Sequence, residues 1–293
     1  MVIFYDPACA QYGSSMRPEQ PARTQRAAHH LQATHFDWEW RHPMPADLEV
    51  LRLAHSEELL KRLQRPPDFD SDTPYFPGIF DHARRSVGSA MAAAECARTE
   101  RRPAFSLMRP PGHHATSDQA MGFCYLNPIA ITALFLRHQG LARVAIWDFD
   151  AHHGNGTESI VLGKKGVRFV SVHQSPGYPG TGTRTIDNCL NFPVRPRTSR
   201  EEHMRVLRSS WEEVLDFNPE LVLVSAGFDA YARDPITTMT LEADDFAVLG
   251  DWLRTAPCPC AAVLEGGYSG DLPVLIDSFL TTWSETICYP PSS

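Results

Sequence analysis

Apolar residues along this chain fall into two kinds of segment: short continuous runs, and longer stretches in which they recur at helical spacing between polar positions. The continuous runs predict strands over 1–9, 104–108, 144–147, 167–173, 221–224 and 261–264. The periodic stretches predict helices over 22–32 and 79–99, from Asn127-Pro128 to the stop at Gly140, from the capping box at 199–202 through Phe217, and from Thr240 to Arg254. A short helix follows Gly154-Asn155-Gly156, and Leu272, Leu275, Ile276, Phe279, Leu280 and Trp283 give a closing helix one apolar face. Small residues in the second helix (Gly88, Ala90, Ala93, Ala94) would let it pack close to a sheet. Arg23 and Arg26 are expected to face solvent or a loop carboxylate, and His29 and His30 to lie on the surface.

Strands that alternate with helices predict an α/β fold with an open parallel sheet flanked by helices, and residues 1–293 are read as one domain. In such sheets ligands bind beyond the carboxyl ends of the strands. Two stretches are too rich in Gly, Pro or Asp for regular structure: 64–78, where Asp70 and Asp72 stand out, and 174–182 around Tyr178.

Composition narrows the classes. A chain of 293 residues with 43% apolar content can bury a large core, and a net charge of −8 argues against a general nucleic-acid binder. The start MVIFYDPAC lacks the basic and long apolar regions of a secretory signal, and the longest apolar run, 129–136, is too short to span a bilayer. Seven scattered Cys (9, 96, 124, 189, 258, 260, 288) fit reduced thiols and a cytoplasmic location. Cys258-Pro-Cys260, the one close pair, has no second pair to complete a zinc knuckle and is read as packing.

The candidate chemistry lies where the runs end. The run at 144–147 gives way to Asp148-Phe149-Asp150-Ala151-His152-His153, and several carboxylates and imidazoles entering a core together each require a partner. Asp150 and His152, two apart, share one side of an extended backbone, as two ligands of one metal ion require. Asp229, at the end of another run, would complete a three-ligand site with open positions for water and substrate, although Asp234 nearby competes for that place. Such a set suits Zn²⁺ and tolerates Fe²⁺ or Co²⁺. The run at 104–108 likewise ends in Arg109-Pro110-Pro111-Gly112-His113-His114, and the last in Glu265-Gly266-Gly267-Tyr268.

In this order, RPPGHHA (109–115), GFCYLN (122–127), DFDAHHGNGT (148–157), PGTG (179–182), SAGFDAYARDP (225–235) and EGGY (265–268) resemble the zinc-dependent histone deacetylase family. The form is that of its class II and bacterial members, which include acetylpolyamine amidohydrolases. The resemblance implies the arginase-deacetylase fold and a metal-activated water that removes acetyl groups from lysine side chains of peptides or proteins. It implies Zn²⁺ on Asp150, His152 and Asp229, His114 as general base, His113 with Asp148 as charge support, and Tyr268 as donor to the substrate carbonyl. It further implies a tunnel lined by Gly122, Phe123 and Tyr178, and Asp72 as a loop residue that holds substrate backbone. A K⁺ site is implied at Asp148, Asp150, His152, Ser171 and Val172, largely through main-chain carbonyls.

Three positions depart from family patterns. Asn155 stands where class I members have an Asp beside the second His; Ile236 occupies the place of a Glu in polyamine-selective members; and the loop between Pro7 and Pro18 is short. An apolar Ile236 offers a cationic tail no partner, which ranks acyl-lysine above small N-acyl amines such as acetylpolyamines. A third alternative, a catalytically silent acyl-lysine or metal-binding module, has no use for His113, His114 and Tyr268 together. His153 receives no chemical role and is read as a structural neighbour.

Overall fold

In the computed structural model, which describes residues 1–285, all eight strands join one sheet and every pairing is parallel. The strands are β1 (Val2–Phe4), β2 (Glu39–Arg41), β3 (Ala104–Ser106), β4 (Val144–Asp148), β5 (Val167–Gln174), β6 (Cys189–Val194), β7 (Leu221–Ala226) and β8 (Cys260–Leu264). Their order across the sheet is β2-β1-β3-β8-β7-β4-β5-β6. The chain therefore leaves β3, passes over the places later filled by β8 and β7, and resumes at β4. That reversal brings the carboxyl ends of β3, β4, β7 and β8 side by side, where an open parallel sheet forms its ligand crevice.

The helices are α1 (Ala22–Thr34), α2 (Leu48–Leu51), α3 (Glu57–Arg62), α4 (Ile79–Glu100), α5 (Pro128–His138), α6 (Asn155–Val161), α7 (Arg200–Asp216), α8 (Ala243–Arg254) and α9 (Leu272–Ser284). Period-two alternation along the strands feeds two cores. From β4, Ala145 and Trp147 join one core with Leu31 of α1, Trp211 of α7, Leu249 of α8 and Phe279 of α9. Val144 and Ile146 point the other way, to Ala90 and Ala93 of α4 and to Ile129 of α5. Because both faces are covered, the central strands read as continuous apolar runs. Trp147 sits at 0% exposure and still satisfies its indole, which donates to Ser210 Oγ at 2.9 Å.

Several local features differ from expectation for identifiable reasons. The first strand stops at Phe4; Pro7 lacks the N–H that a ladder needs, and Asp6 caps a 3₁₀ turn over Pro7–Ala10 by accepting from Ala8 N at 2.8 Å. The edge strands β2 and β6 gave no sequence signal, β2 being three residues and β6 carrying Pro193, which an edge tolerates. α8 begins after Glu242, not at Thr240, because Glu242 and Asp245 form a reciprocal capping box. Within α4 the small residues divide their work. Ala90 and Ala93 join the core against the sheet, but a Cβ on Gly88 would lie 1.8 Å from Met44 O, so Gly88 admits the 44–46 segment instead.

Among the described residues no helix is long and apolar enough to cross a membrane. Cys9, Cys96, Cys124, Cys189, Cys258 and Cys260 are free thiols, and the Cys260 thiol donates to Cys258 O at 3.6 Å, consistent with packing. Cys288 lies outside the described residues.

Candidate active site

The strand ends converge as the sheet order requires. Asp150 and His152 follow β4 and Asp229 follows β7, and one ligand atom from each lies within 4.8 Å of the others. His152 Nδ1 is 2.9 Å from Asp229 Oδ2 and 3.1 Å from Asp150 Oδ1. The second oxygens of the carboxylates are pinned by backbone: Asp150 Oδ2 accepts from Gly266 N at 2.7 Å, and Asp229 Oδ1 accepts from Ala151 N at 2.8 Å. Gly266 is required by this approach, because a Cβ there would stand 2.3 Å from Asp229 Oδ2 and 2.5 Å from Asp150 Oδ2. Asp234, the competing ligand, points elsewhere and accepts from Tyr268 N at 2.8 Å and Ile236 N at 3.0 Å.

The electrostatics of this trio fit a cation. Burial disfavours a charged His152, yet Asp229 and Asp150 outweigh it and push the imidazole well above its usual range. Two carboxylates at 0% exposure thus draw whatever positive charge is within reach. An N,O,O donor set with two buried carboxylates fits a divalent metal ion, and the pocket reaches it at His152.

Around the trio stand two imidazoles with different partners. His113 Nδ1 donates to Asp148 Oδ2 at 3.0 Å. Burial opposes its charge, but Asp150 and Asp148 hold it up at about 10. His114 Nδ1 donates to Asn155 Oδ1 at 2.8 Å, leaving Nε2 as the ring's lone-pair nitrogen. Burial first, then the nearby His113 and His152, keep His114 well below the ordinary histidine range, so it is neutral. The rings of His113 and His114 are 4.1 Å apart between centroids.

A pocket of about 290 Å³ opens over these groups. His114, His152 and Tyr268 form its inner end, Gly122, Phe123 and Tyr178 its walls, and Arg17, Pro18, Asp72 and Ile236 its outer rim. Tyr178 meets the His114 ring edge-on at 5.1 Å, and Phe123 meets Tyr268 at 5.7 Å. Gly122 adopts φ +55°, and a Cβ there would come within 2.6 Å of His114 Cδ2. Burial pushes the Tyr268 phenol well above its ordinary value, so it remains a donor.

Three residues that sequence reasoning left without a role hold this arrangement. Arg23, expected to face solvent or a loop carboxylate, is buried and meets the loop carboxylate of Glu19, its Nη1 donating to Oε1 at 3.4 Å; its Nε donates to Gly267 O at 2.7 Å, its Nη2 to Glu265 O at 2.5 Å, and its guanidinium lies 4.7 Å from the Tyr268 ring centroid. Glu265 accepts from the backbone N of Gly112 (2.7 Å) and His113 (3.2 Å) and from Ser225 Oγ (3.1 Å), which ties β8, β3 and β7 together. Burial raises its carboxyl to about 7. Arg109 is fully buried and paired with Glu19, its Nη2 donating to Glu19 Oε2 at 2.7 Å. The RPP turn offered a signal for Arg109; the others act through backbone atoms, which spacing does not report.

Other expected positions fall as follows. His153 Nδ1 bonds Thr181 Oγ1 at 2.7 Å, a structural contact to the loop that bears Tyr178. Ser171 pairs with Asp148 in the β4–β5 register, and its hydroxyl donates to His173 Nδ1 at 2.9 Å, because His173 Nε2 must donate to Gly182 O. Val172, next in β5, is in the core. His29 is exposed, whereas His30 bonds Asp277 Oδ2 at 2.7 Å.

The histone deacetylase domain family matches residues 17–281. The chain belongs to the histone deacetylase family. It is 38% identical over 287 residues to an uncharacterized protein of Synechocystis sp., covering 90% of this chain and 92% of that one. A probable deacetylase of Archaeoglobus fulgidus is 39% identical, with 79% of this chain and 70% of the relative covered. Among solved structures, the acetylpolyamine aminohydrolase of Burkholderia pseudomallei superposes with a TM-score of 0.89 at 27% identity, covering 97% of this chain and 98% of that one. The fold is therefore the arginase-deacetylase fold, and the protein is a hydrolase of the deacetylase type in a metal-dependent family.

Proposed function

We propose that the protein hydrolyses the amide of an acylated lysine side chain, releasing the carboxylic acid and a free amine. The observation that carries this reading is one pocket that reaches the Asp-His-Asp trio at His152 and is lined there by a neutral histidine with its lone-pair nitrogen fixed and by a protonated tyrosine. Asp150, His152 and Asp229 would hold the metal, taken as Zn²⁺ with Fe²⁺ or Co²⁺ able to replace it. Bound there, the ion polarises the amide carbonyl and acidifies water. His114 Nε2 accepts the proton of the attacking water and returns it to the leaving amine, while Asn155 keeps the ring in the required tautomer without adding negative charge. His113, held by Asp148, adds positive charge beside the developing oxyanion, and Tyr268 donates its hydroxyl to that oxygen. Gly122, Phe123 and Tyr178 leave a slot suited to an aliphatic chain, with Asp72 and Ile236 at its entrance. K⁺ is assigned to the main chain around Asp148, Asp150, His152, Ser171 and Val172 as a structural ion, an assignment supported by the β4–β5 register that brings Asp148 and Ser171 side by side.

The likeness to the Burkholderia aminohydrolase favours a second reading, an acetylpolyamine as substrate. Ile236 weighs against it, being apolar and 38% exposed at the rim. The test is steady-state turnover of metal-loaded protein on an acetyl-lysine peptide and on acetylputrescine. A higher kcat/KM on acetyl-lysine supports the first reading, and a large preference for the diamine replaces it by the second. No turnover on any acyl amide, with ligand affinity unchanged in Tyr268→Phe, would leave a binding module.

A further inference from the structure

The rim of the pocket carries one charge of each sign, and the two do not neutralise each other. Arg17 and Asp72 both line the entrance, yet no ion-pair contact joins them. Among the described residues, the hydrogen-bond partner of the Arg17 side chain is a backbone carbonyl: Nη1 donates to Ser71 O at 2.9 Å. That bond fixes the guanidinium against the loop bearing Asp72 and leaves its other N–H groups unused. Asp72 is exposed, and the one bond at this residue is its own N–H donating to Asp70 Oδ1 at 2.9 Å; its carboxylate is unpartnered among the described residues. Asp70, in contrast, is occupied by the N–H groups of Asp72 and Thr73. An exposed pair gains little by closing on itself, so the unused N–H groups of Arg17 and the unpartnered carboxylate of Asp72 are both available to a ligand that enters the pocket.

Resting on the hydrolase reading above, we infer that this rim recognises the α-centre of a free Nε-acyl amino acid: Arg17 takes the α-carboxylate and Asp72 the α-ammonium. A planar guanidinium with unused N–H groups is the matching donor for a carboxylate. A polyamine tail carries only positive charge, so it gains Asp72 but meets Arg17 uncompensated. A peptide-bound lysine presents a neutral N–H and C=O to the same pair, which leaves both rim charges without counter-charge. The zwitterion is the one lysine form that answers both.

The closest probe is a pair of substrates that differ only in the carboxylate, Nε-acetyl-L-lysine and N-acetylcadaverine. Metal-loaded protein is expected to favour acetyl-lysine by about tenfold or more in kcat/KM, the scale of one hydrogen-bonded charge contact. Added salt should shrink the ratio. Arg17→Gln should bring the ratio to about one, chiefly through KM, and Arg17→Glu should invert it. A third substrate, acetyl-lysine blocked at both α-groups, should fall below the free amino acid, and by less in Asp72→Asn. Calorimetric titration of both compounds into Tyr268→Phe protein reads the same discrimination without turnover. Equal turnover of the pair, or a preference that survives Arg17→Gln, overturns the rim assignment and leaves the hydrolase reading standing. Discrimination in binding with no turnover by the wild type overturns the hydrolase reading and leaves the rim assignment standing.

Discussion

The two ends of the pocket are built in opposite ways. At the inner end, Asp150, Asp229 and His113 are buried, and each is held by backbone or by a second buried side chain contributed by a different strand. At the rim, Asp72 and Ile236 are exposed and Arg17 rests on a single carbonyl. A group fixed from several strands cannot move without moving the sheet, so the inner end suits chemistry that tolerates little displacement. A group on a loop can be exchanged at small cost to the fold, so the rim is where substrate choice can change.

That contrast breaks first at the inner end. His114→Ala should lower kcat by about 10²–10⁴-fold with metal content unchanged, as removal of a general base does. A loss below tenfold, in protein shown by elemental analysis to hold its metal, would assign the base elsewhere. One level out, Gly266→Ala places a methyl against both ligand carboxylates and removes no ligand. Metal affinity should fall by about 10–100-fold, as for other groups that support a metal's ligands. Chelator competition measures it, and unchanged affinity would mean that the trio is not stiff.

A buried histidine outside the pocket sharpens the comparison by separating fold stability from site chemistry. Burial lowers His203 to about 4 from the ordinary histidine value. The unfolded chain therefore takes the proton more readily, so the ring's contribution to stability is complete above about pH 6.5 and is lost as pH falls toward 4. His203→Leu should make the acid-side decline between pH 6.5 and 4.5 shallower by on the order of 2 kcal/mol in urea unfolding of metal-free protein. A decline of the same slope in both proteins would contradict the burial argument. The smallest effect belongs to the rim. Ile236→Glu should raise kcat/KM on acetylputrescine by severalfold, up to about tenfold, while metal affinity stays fixed. A concurrent loss of metal would show that rim and inner end are coupled.

Much of the inner end was legible in the sequence because a parallel strand buried on both faces reads as a continuous apolar run, and Asp148, Asp150 and His152 interrupt the end of one abruptly. The six ordered motifs then supplied what spacing could not, including Tyr268 and the link between Asn155 and His114. The roles of Arg23 and Glu265 escaped because they bind backbone carbonyls and amides, contacts that follow from the sheet order and leave no periodic mark; Asp234 was legible as a rival ligand, but its backbone partners, Tyr268 N and Ile236 N, were not. Arg17 escaped for a different reason: its place at the rim depends on how the 10–20 segment meets the loop at 64–78, which neither segment encodes alone. Among the strands, β2 and β6 were invisible because edge strands need neither length nor a continuous apolar run.

The central claim is that Asp150, His152 and Asp229 hold one metal ion on which amide hydrolysis depends. The most direct measurement is acetyl-lysine hydrolysis by chelated protein titrated with Zn²⁺, in the wild type and in Asp229→Ala. The wild type should be inactive when stripped and regain full activity at one equivalent, while folded Asp229→Ala should stay inactive at that stoichiometry. Activity in the stripped wild type, or full recovery of Asp229→Ala at one equivalent, would contradict the claim.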